Sequence, residues 1–143
     1  TIEDPLHEDD WESWPAITRL LGNKVLVIAD DLTVTNPERL QKAIDQKVAN
    51  AILIKLNQNG TVTGTIDTCM LAAKHGFATI VSHRGGGETN DTSMIDVAVA
   101  VNAAFVKVGP TRGERVSKYN RLMEIEQELG KKARVAGKGY RQK

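Results

Sequence analysis

Four short, continuously apolar segments recur along the chain, and each is followed by a segment with helical periodicity. The apolar segments are residues 25–29, 51–54, 77–81 and 104–106. Runs of this length without polar alternation are typical of strands that are covered on both faces, as in parallel sheets. Because strands that alternate with helices form right-handed βα units, the pattern predicts an α/β fold around a parallel sheet.

The intervals between these segments carry helix signals. Asn36 followed by Pro37 predicts a helix start, because asparagine caps the first turn and proline suits the first helical position. Gly76 and Gly130 predict the ends of two later helices. The apolar stripe expected to face the core from the second helix after Asn36 consists of Val62, Ile66, Met70 and Ala73.

Each predicted strand ends in a charged or titratable residue. Successive residues of this series lie 24 to 28 positions apart, and they are Glu3, Asp30, Lys55, His83 and Lys107. In (β/α)8 barrels the catalytic groups occupy the C-terminal ends of the strands, so the series favours a barrel mouth. Only four complete βα units follow the end of a preceding strand, whereas a closed barrel needs eight. The pattern therefore allows half of a barrel or a smaller, doubly wound open sheet, which also binds ligands at strand ends.

The residue types at these strand ends suggest a metal and an anionic substrate. Glu3 and Asp30 offer the hard carboxylate oxygens that Mg²⁺ prefers, although each could also be a helix cap or an ion-pair partner. Lys55 and Lys107 end buried strands, where a lysine can act as a general base or bind an anion. The alternative for both is a lysine whose stem lies along the surface with its ammonium in water.

The segment after the third apolar run combines His83 and Arg84 with three successive glycines, Gly85 to Gly87. Arginine can bind an anion with two parallel hydrogen bonds, and glycines allow backbone N–H groups to approach it closely. This combination predicts a phosphate cradle, and the alternative is a flexible hinge with a histidine beside it.

The composition excludes several classes of function. The 143 residues include 19 basic and 18 acidic side chains and only 4% aromatic residues, so neither nucleic acid nor an anionic membrane is an expected partner. No apolar run is long enough for a membrane span. Cys69 is the only cysteine, which excludes an internal disulfide, and we expect it in the core of a cytoplasmic protein.

Several ordered segments resemble the enolase (phosphopyruvate hydratase) family along the whole chain. The most specific are ADDLTVTNP at 29–37 and KLNQNGT at 55–61. The others are IEDP at 2–5, DDW at 9–11, SHR at 82–84, VK at 106–107, RGER at 112–115 and KYNRL at 118–122.

The resemblance implies a fold and a reaction. Residues 1–143 would form the C-terminal half of an enolase-type (β/α)8 TIM barrel, from the end of the fourth strand through the eighth, with the N-terminal domain and the first barrel strands outside the chain. The family interconverts 2-phosphoglycerate and phosphoenolpyruvate with loss of water in glycolysis and gluconeogenesis, using Mg²⁺. The implied partners are this substrate pair, the remaining N-terminal part and a second copy in a homo-oligomer.

The resemblance also implies residue roles. Glu3 and Asp30 match two of the three ligands of the first Mg²⁺, and these residues also line the substrate site. Lys55 matches the base that removes the substrate proton, and Lys107 matches the lysine that contacts the substrate carboxylate. His83 matches an active-site histidine, and Arg84 with Gly85 matches the residues that bind the phosphate. Ser82, which precedes them, is also assigned to the substrate site.

Two departures from the family pattern leave an alternative function open. Gly85 stands where the family usually has a serine, and the glycine loop is one residue longer. The segment after Lys107 is one residue shorter than usual. The alternative is a catalytically impaired, enolase-derived half-barrel that acts as a binding or interaction protein. In either case we expect the isolated chain to have little or no turnover.

Overall fold

The computed structural model describes residues 1–83 and 89–135, which form five parallel strands and six α-helices. The strands are β1 (Ile2–Glu3), β2 (Val27–Ala29), β3 (Ala51–Ile54), β4 (Ala78–Ser82) and β5 (Phe105–Lys107). The helices are α1 (Trp14–Leu21), α2 (Pro37–Gln46), α3 (Leu56–Asn59), α4 (Val62–Lys74), α5 (Ser93–Ala100) and α6 (Arg115–Leu129), followed by a 3₁₀ turn at Gly130–Lys132. The predicted α/β fold with alternating strands and helices is confirmed.

The strands lie in the sheet in the order in which they occur in the chain, β1-β2-β3-β4-β5, and every neighbouring pair is parallel. A doubly wound sheet would reverse its strand order at a switch point, so that alternative is wrong. The sheet is strongly curled. In a flat sheet, four spacings of about 4.8 Å would separate the edge strands by about 19 Å. Here Lys107 Nζ on β5 lies 2.6 Å from Glu3 Oε1 on β1, as a half-barrel requires.

The two faces of the sheet bury different apolar layers. The concave face carries Ile28, Leu53 and Ile80, which pack against one another with small alanines. Alternate residues such as Ile52 and Val81 point to the other face and pack against the helices; this cluster also contains Leu40, Cys69, Ile95 and Ile125. The continuous apolar strands β2, β3 and β4 are therefore explained by burial on both faces, whereas β5, at the edge of the described sheet, is partly exposed.

A second cluster anchors the segment between β1 and β2. Trp14 is fully buried, and its indole N–H donates a hydrogen bond to the carbonyl of His7 at 3.1 Å. Trp11 lies half-buried with Lys42 Nζ 4.0 Å from the centre of its ring, which ties this segment to α2 by a cation–π contact.

The helix boundaries predicted from capping residues, namely the start of α2 and the ends of α4 and α6, are confirmed. Asn36 Oδ1 accepts a hydrogen bond from the backbone N–H of Arg39 at 2.9 Å, and Pro37 is the first residue of α2. Gly76 follows α4 at a φ of 74°, and Gly130 follows α6 at a φ of 53°, which are angles that glycine adopts without strain.

The apolar stripe predicted for α4 is wrong. Val62 and Met70 are 55% and 61% exposed, and the buried residues of this helix are Thr65, Thr68, Cys69 and Ala72. The two threonines can be buried because each hydroxyl donates a hydrogen bond to the carbonyl four residues earlier. The expected core position of Cys69 is confirmed.

Across 1–83 and 89–135, no helix combines the length and apolar character that a bilayer crossing requires.

Candidate active site

The strand register places five polar side chains on the concave face at the C-terminal edge of the sheet. Paired residues of neighbouring parallel strands share a face, and so do residues two apart on one strand. Glu3 pairs with Ile28, Ile28 with Ala51, Ile54 with Val81, and Ser82 with Lys107. Counting in steps of two from these pairs assigns one face to a set that we call the rim: Glu3, Asp30, Lys55, Ser82 and Lys107.

The register also refines the sequence pattern at β4. Ser82, the last residue of this strand, is the member that shares the rim face, and His83 follows it directly. Ser82 is 4% exposed, and its Oγ lies 2.8 Å from the carbonyl oxygen of His83 and 3.1 Å from that of Lys107, within hydrogen-bond reach of both. Arg84 and Gly85, which the sequence assigns to phosphate binding, lie outside the described residues.

Asp30 and Lys55 form an ion pair that is almost removed from solvent. Lys55 Nζ lies 2.5 Å from Asp30 Oδ2, and the two side chains are 12% and 8% exposed. The other carboxylate oxygen, Oδ1, accepts a hydrogen bond from Gln58 Nε2 at 3.2 Å. The structure therefore brings the predicted base and one predicted metal ligand into direct contact.

Glu3 and Lys107 form a second pair across the mouth of the half-barrel. Lys107 Nζ lies 2.6 and 2.7 Å from the two oxygens of Glu3. The lysine side chain is 52% exposed and the glutamate 30%, so this pair is far more accessible to water than the pair of Asp30 and Lys55. The two carboxylates of the rim are thus each compensated by a lysine.

Asp4 fixes the backbone at the end of β2. Its carboxylate accepts hydrogen bonds from the backbone N–H groups of Asp30 and Asp31 at 2.9 and 3.1 Å. Burial raises the pKa of Asp4 above its ordinary value, and the two backbone hydrogen bonds act in the opposite direction. Carboxylate oxygens of Asp4, Asp30 and Asp31 lie within 4.8 Å of one another. That cluster does not include Glu3.

A cavity of about 170 Å³ lies beside the end of β4. Its lining includes Ser82, His83, Asp91 and Lys118. Lys118 on α6 is 2% exposed and donates a hydrogen bond from Nζ to the carbonyl of Thr89 at 2.6 Å. Hydrogen bonds from the side chain and backbone of Ser93 lower the pKa of Asp91, which keeps a carboxylate charge near this ammonium.

Four residues that contact the site carry no predicted role from the sequence: Asp4, Thr35, Gln58 and Lys118. A weak signal exists for two of them. Asp4 adjoins Glu3, and Gln58 lies three residues after Lys55, which brings the two to one side of a helical turn. Lys118 and Thr35 meet the site only through tertiary contacts.

Comparison of the amino-acid sequence with known proteins identifies the family of this chain. A family model described as "Enolase, C-terminal TIM barrel domain" matches residues 1–143. The chain belongs to the enolase family. It is 59% identical over 137 residues to the enolase of Elusimicrobium minutum, 56% identical over 138 residues to that of Bifidobacterium longum, and 54% identical over 138 residues to that of Bifidobacterium animalis subsp. lactis.

These alignments cover 95–96% of the chain but 32% of each enolase, so the chain spans about a third of the length of the curated relatives that it matches. The shared part is the C-terminal barrel domain of the family. Enolases are lyases of glycolysis, and the rim described above lies within the segment that this chain shares with them.

The rim carboxylates are of the residue type that binds a divalent cation. Glu3 and Asp30 present hard carboxylate oxygens on one face of neighbouring strands, and Mg²⁺ takes a few such oxygens together with water and substrate oxygens. Each carboxylate already attracts a cationic group in the structure, namely Lys107 for Glu3 and Lys55 for Asp30.

Proposed function

We propose that the chain provides the C-terminal half of the active site of an enolase, which dehydrates 2-phosphoglycerate reversibly to phosphoenolpyruvate with Mg²⁺. The observation that carries the proposal is the rim. Two carboxylates and two lysines stand on one face at the C-terminal strand ends, in a chain that is 54–59% identical to enolases. This is the edge at which (β/α)8 enzymes hold their catalytic groups.

Lys55 is the proposed base for the proton at C2 of the substrate. It ends a fully buried strand and has an 88% covered side chain, as a group that works away from bulk water needs. The carboxylate of Asp30 lies in direct contact with the Lys55 amine, so a cation bound to Asp30 would compensate the negative charge beside the base. Bound Mg²⁺ would supply that compensation and would stabilise the negative charge that develops on the substrate.

Lys107 is the proposed contact of the substrate carboxylate. Its ammonium projects into the mouth of the half-barrel and is about half exposed, so an anion from solvent can reach it. Glu3 holds the ammonium in place through both of its oxygens. Ser82 and His83 end the adjacent strand, and we assign them, with Arg84 and Gly85, to the phosphate group.

The proposal includes the rest of the enzyme. Residues 1–143 would run from the end of barrel strand 4 to strand 8 and the terminal helix and tail. The remaining metal ligand and the general acid would come from the N-terminal part. We further propose a cytoplasmic homo-oligomer with neither nucleic acid nor membrane as a partner, and an isolated chain without turnover.

A segment exchange tests the proposal. The 143 residues replace the matching segment of the Elusimicrobium minutum enolase, and dehydration of 2-phosphoglycerate is measured with Mg²⁺. We expect the chimera to be active and Lys55→Ala to lower its kcat by about 10²- to 10⁴-fold. Lys74→Ala, at an exposed lysine in the last turn of α4, is the control and should leave kcat unchanged. An inactive chimera beside an active parent enolase would refute the proposal.

The alternative of an interaction protein has one observation in its favour. β1 and β5 are the edges of the described sheet, and Phe105 on β5 is 46% exposed. Strand edges of this kind pair readily with another chain. The segment exchange separates the two functions, because an impaired half-barrel would fold in the chimera without restoring turnover.

A further inference from the structure

Two consecutive β-branched residues near Asp30 adopt a backbone conformation that such residues rarely adopt. Val34 has a φ of 44° and Thr35 a φ of 51°, both in the left-handed region. In that region Cβ crowds the backbone, and β-branched side chains are genuine outliers there. Backbone strain of this kind persists where the surrounding structure enforces it, and it is concentrated at functional sites.

The unusual turn brings the Thr35 hydroxyl between the main chain of Lys55 and the side chain of Gln58. Thr35 is fully buried. Its Oγ1 accepts a hydrogen bond from the backbone N–H of Lys55 at 2.9 Å and donates one to Gln58 Oε1 at 2.7 Å. The carbonyl of the same residue accepts a hydrogen bond from Asn59 Nδ2 at 3.1 Å, which holds the turn against α3.

The number of available protons fixes the direction of this network. The backbone N–H of Lys55 can only donate and the Asp30 carboxylate can only accept, so the Gln58 NH₂ group must donate to Asp30 and the hydroxyl proton of Thr35 goes to the Gln58 oxygen. The Gln58 amide therefore uses its oxygen toward Thr35 and directs its NH₂ group to Asp30 Oδ1. Because Lys55 Nζ occupies Oδ2, each oxygen of Asp30 has a different donor.

We propose that Thr35 and Gln58 are positioning residues that set the orientation of the Asp30 carboxylate relative to the Lys55 amine. Thr35 orients the amide, and the amide holds one oxygen of Asp30 so that the other faces Lys55. This inference rests on the proposed function, in which Asp30 binds Mg²⁺ and Lys55 is the base. It adds two residues whose proposed role is exerted through Asp30 and Lys55 rather than by direct contact with substrate or metal.

The test compares variants of the same chimera. Thr35→Val removes the hydroxyl and keeps the shape, Thr35→Ser keeps the hydroxyl, and Gln58→Leu removes the amide. The control is Thr65→Val, because Thr65 is also fully buried and its hydroxyl donates a hydrogen bond to the carbonyl of Thr61, outside the network of Asp30 and Lys55. Mg²⁺ affinity is measured by calorimetry, and kcat and KM are measured at saturating Mg²⁺.

We expect Thr35→Val and Gln58→Leu to weaken Mg²⁺ binding about 10- to 100-fold, as loss of groups that orient metal ligands usually does. We expect kcat to fall about tenfold or more with KM for 2-phosphoglycerate changed less than about threefold, since the phosphate contacts are untouched. Thr35→Ser and Thr65→Val should match the unsubstituted chimera. The double variant Thr35→Val/Gln58→Leu should be no worse than the more severe single variant, because the two residues act as one unit.

Equal Mg²⁺ affinity in all folded variants would overturn the inference, and so would fully additive effects in the double variant. If Thr35→Val fails to fold, Gln58→Leu decides the question alone, because Gln58 lies on the partly exposed helix α3. An inactive unsubstituted chimera would refute the proposed function instead, and the calorimetric comparison would still decide the positioning role.

Discussion

Replacing Lys55 by methionine in the 143-residue chain is expected to lower its free energy of unfolding by about 3–5 kcal/mol. The lysine ammonium lies 2.5 Å from Asp30 Oδ2, and the two side chains are only 12% and 8% exposed. Without the ammonium, the Asp30 carboxylate keeps one described side-chain donor, Gln58 Nε2 at 3.2 Å, and little contact with water. Methionine has nearly the volume of lysine, so the loss is electrostatic rather than a loss of packing.

The pair of Glu3 and Lys107 provides a matched comparison, because its distance is similar and its burial is not. Lys107 Nζ lies 2.6 Å from Glu3 Oε1, but the side chains are 52% and 30% exposed. Water and salt screen such a pair, so Lys107→Met should cost less than about 1 kcal/mol. The difference between the two methionine variants therefore isolates the effect of burial.

Urea unfolding followed by circular dichroism measures these differences. Removing both charges in Lys55→Met/Asp30→Leu should recover most of the stability that Lys55→Met loses, because no buried charge is then left without its partner. The reasoning would be refuted if Lys55→Met cost less than about 1 kcal/mol, or if Lys107→Met were equally destabilising.

Three further predictions concern residues outside the rim. Asn36→Ala should lower the free energy of unfolding by about 1 kcal/mol in the same urea assay, because it removes the side-chain cap of α2. Burial raises the pKa of the Cys69 thiol from its ordinary value of 9.0 to about 11, so its contribution to stability is complete below pH 9 and is lost as the pH rises toward 11. Alkylation of the folded chain at pH 8.5 should therefore be about 100-fold slower than alkylation in urea. Lys118→Met should keep or raise stability, whereas Lys118→Ala should lower it by about 2–5 kcal/mol through the cavity it leaves, as thermal unfolding of the two variants will show.

The strands and the rim could be predicted because both follow from local patterns. The sequence predicts β3 at 51–54, and the strand lies at Ala51–Ile54. A short unbroken apolar run between polar neighbours is typical of a buried strand. The charged residues after the strands fall at one edge because all strands are parallel and follow chain order. The positions of the strand ends in the sequence are therefore sufficient to predict that Asp30 and Lys55 are neighbours.

The buried face of α4 could not be read from apolar periodicity. Thr65 and Thr68 satisfy their hydroxyls within the helix and so enter the core without a polar penalty, while Met70 remains exposed. A pattern that counts apolar residues assigns these positions the wrong way round. The same limit applies to Lys118, whose burial depends on one carbonyl that the fold brings to it, that of Thr89.

The contacts that Asp4, Thr35 and Gln58 make around Asp30 and Lys55 depend on backbone angles that local sequence patterns do not predict. Asp4 has a φ of 42° and Thr35 a φ of 51°, although neither is a glycine. Asparagine and aspartate tolerate such angles better than threonine does, so only the angle of Thr35 is a strong departure from local preference. Sites of this kind are where local reasoning is expected to fail, because the surrounding structure imposes a conformation that the residue itself does not favour.

Stability alone would not select the arrangement around Asp30. A buried lysine–carboxylate pair can often be replaced by apolar residues of similar size without loss of stability, and the left-handed turn at Val34 and Thr35 is strained. The lysine of the pair contacts the Asp30 carboxylate directly, as does Gln58. The strained turn contacts the backbone N–H of Lys55 through the Thr35 hydroxyl. If they serve chemistry, Lys55→Met/Asp30→Leu should yield a chain about as stable as the original whose chimera has lost turnover and Mg²⁺ binding together. A double variant that kept Mg²⁺ affinity would show that Asp30 is a structural ion-pair partner. Carboxylates other than Asp30 would then have to bind the metal.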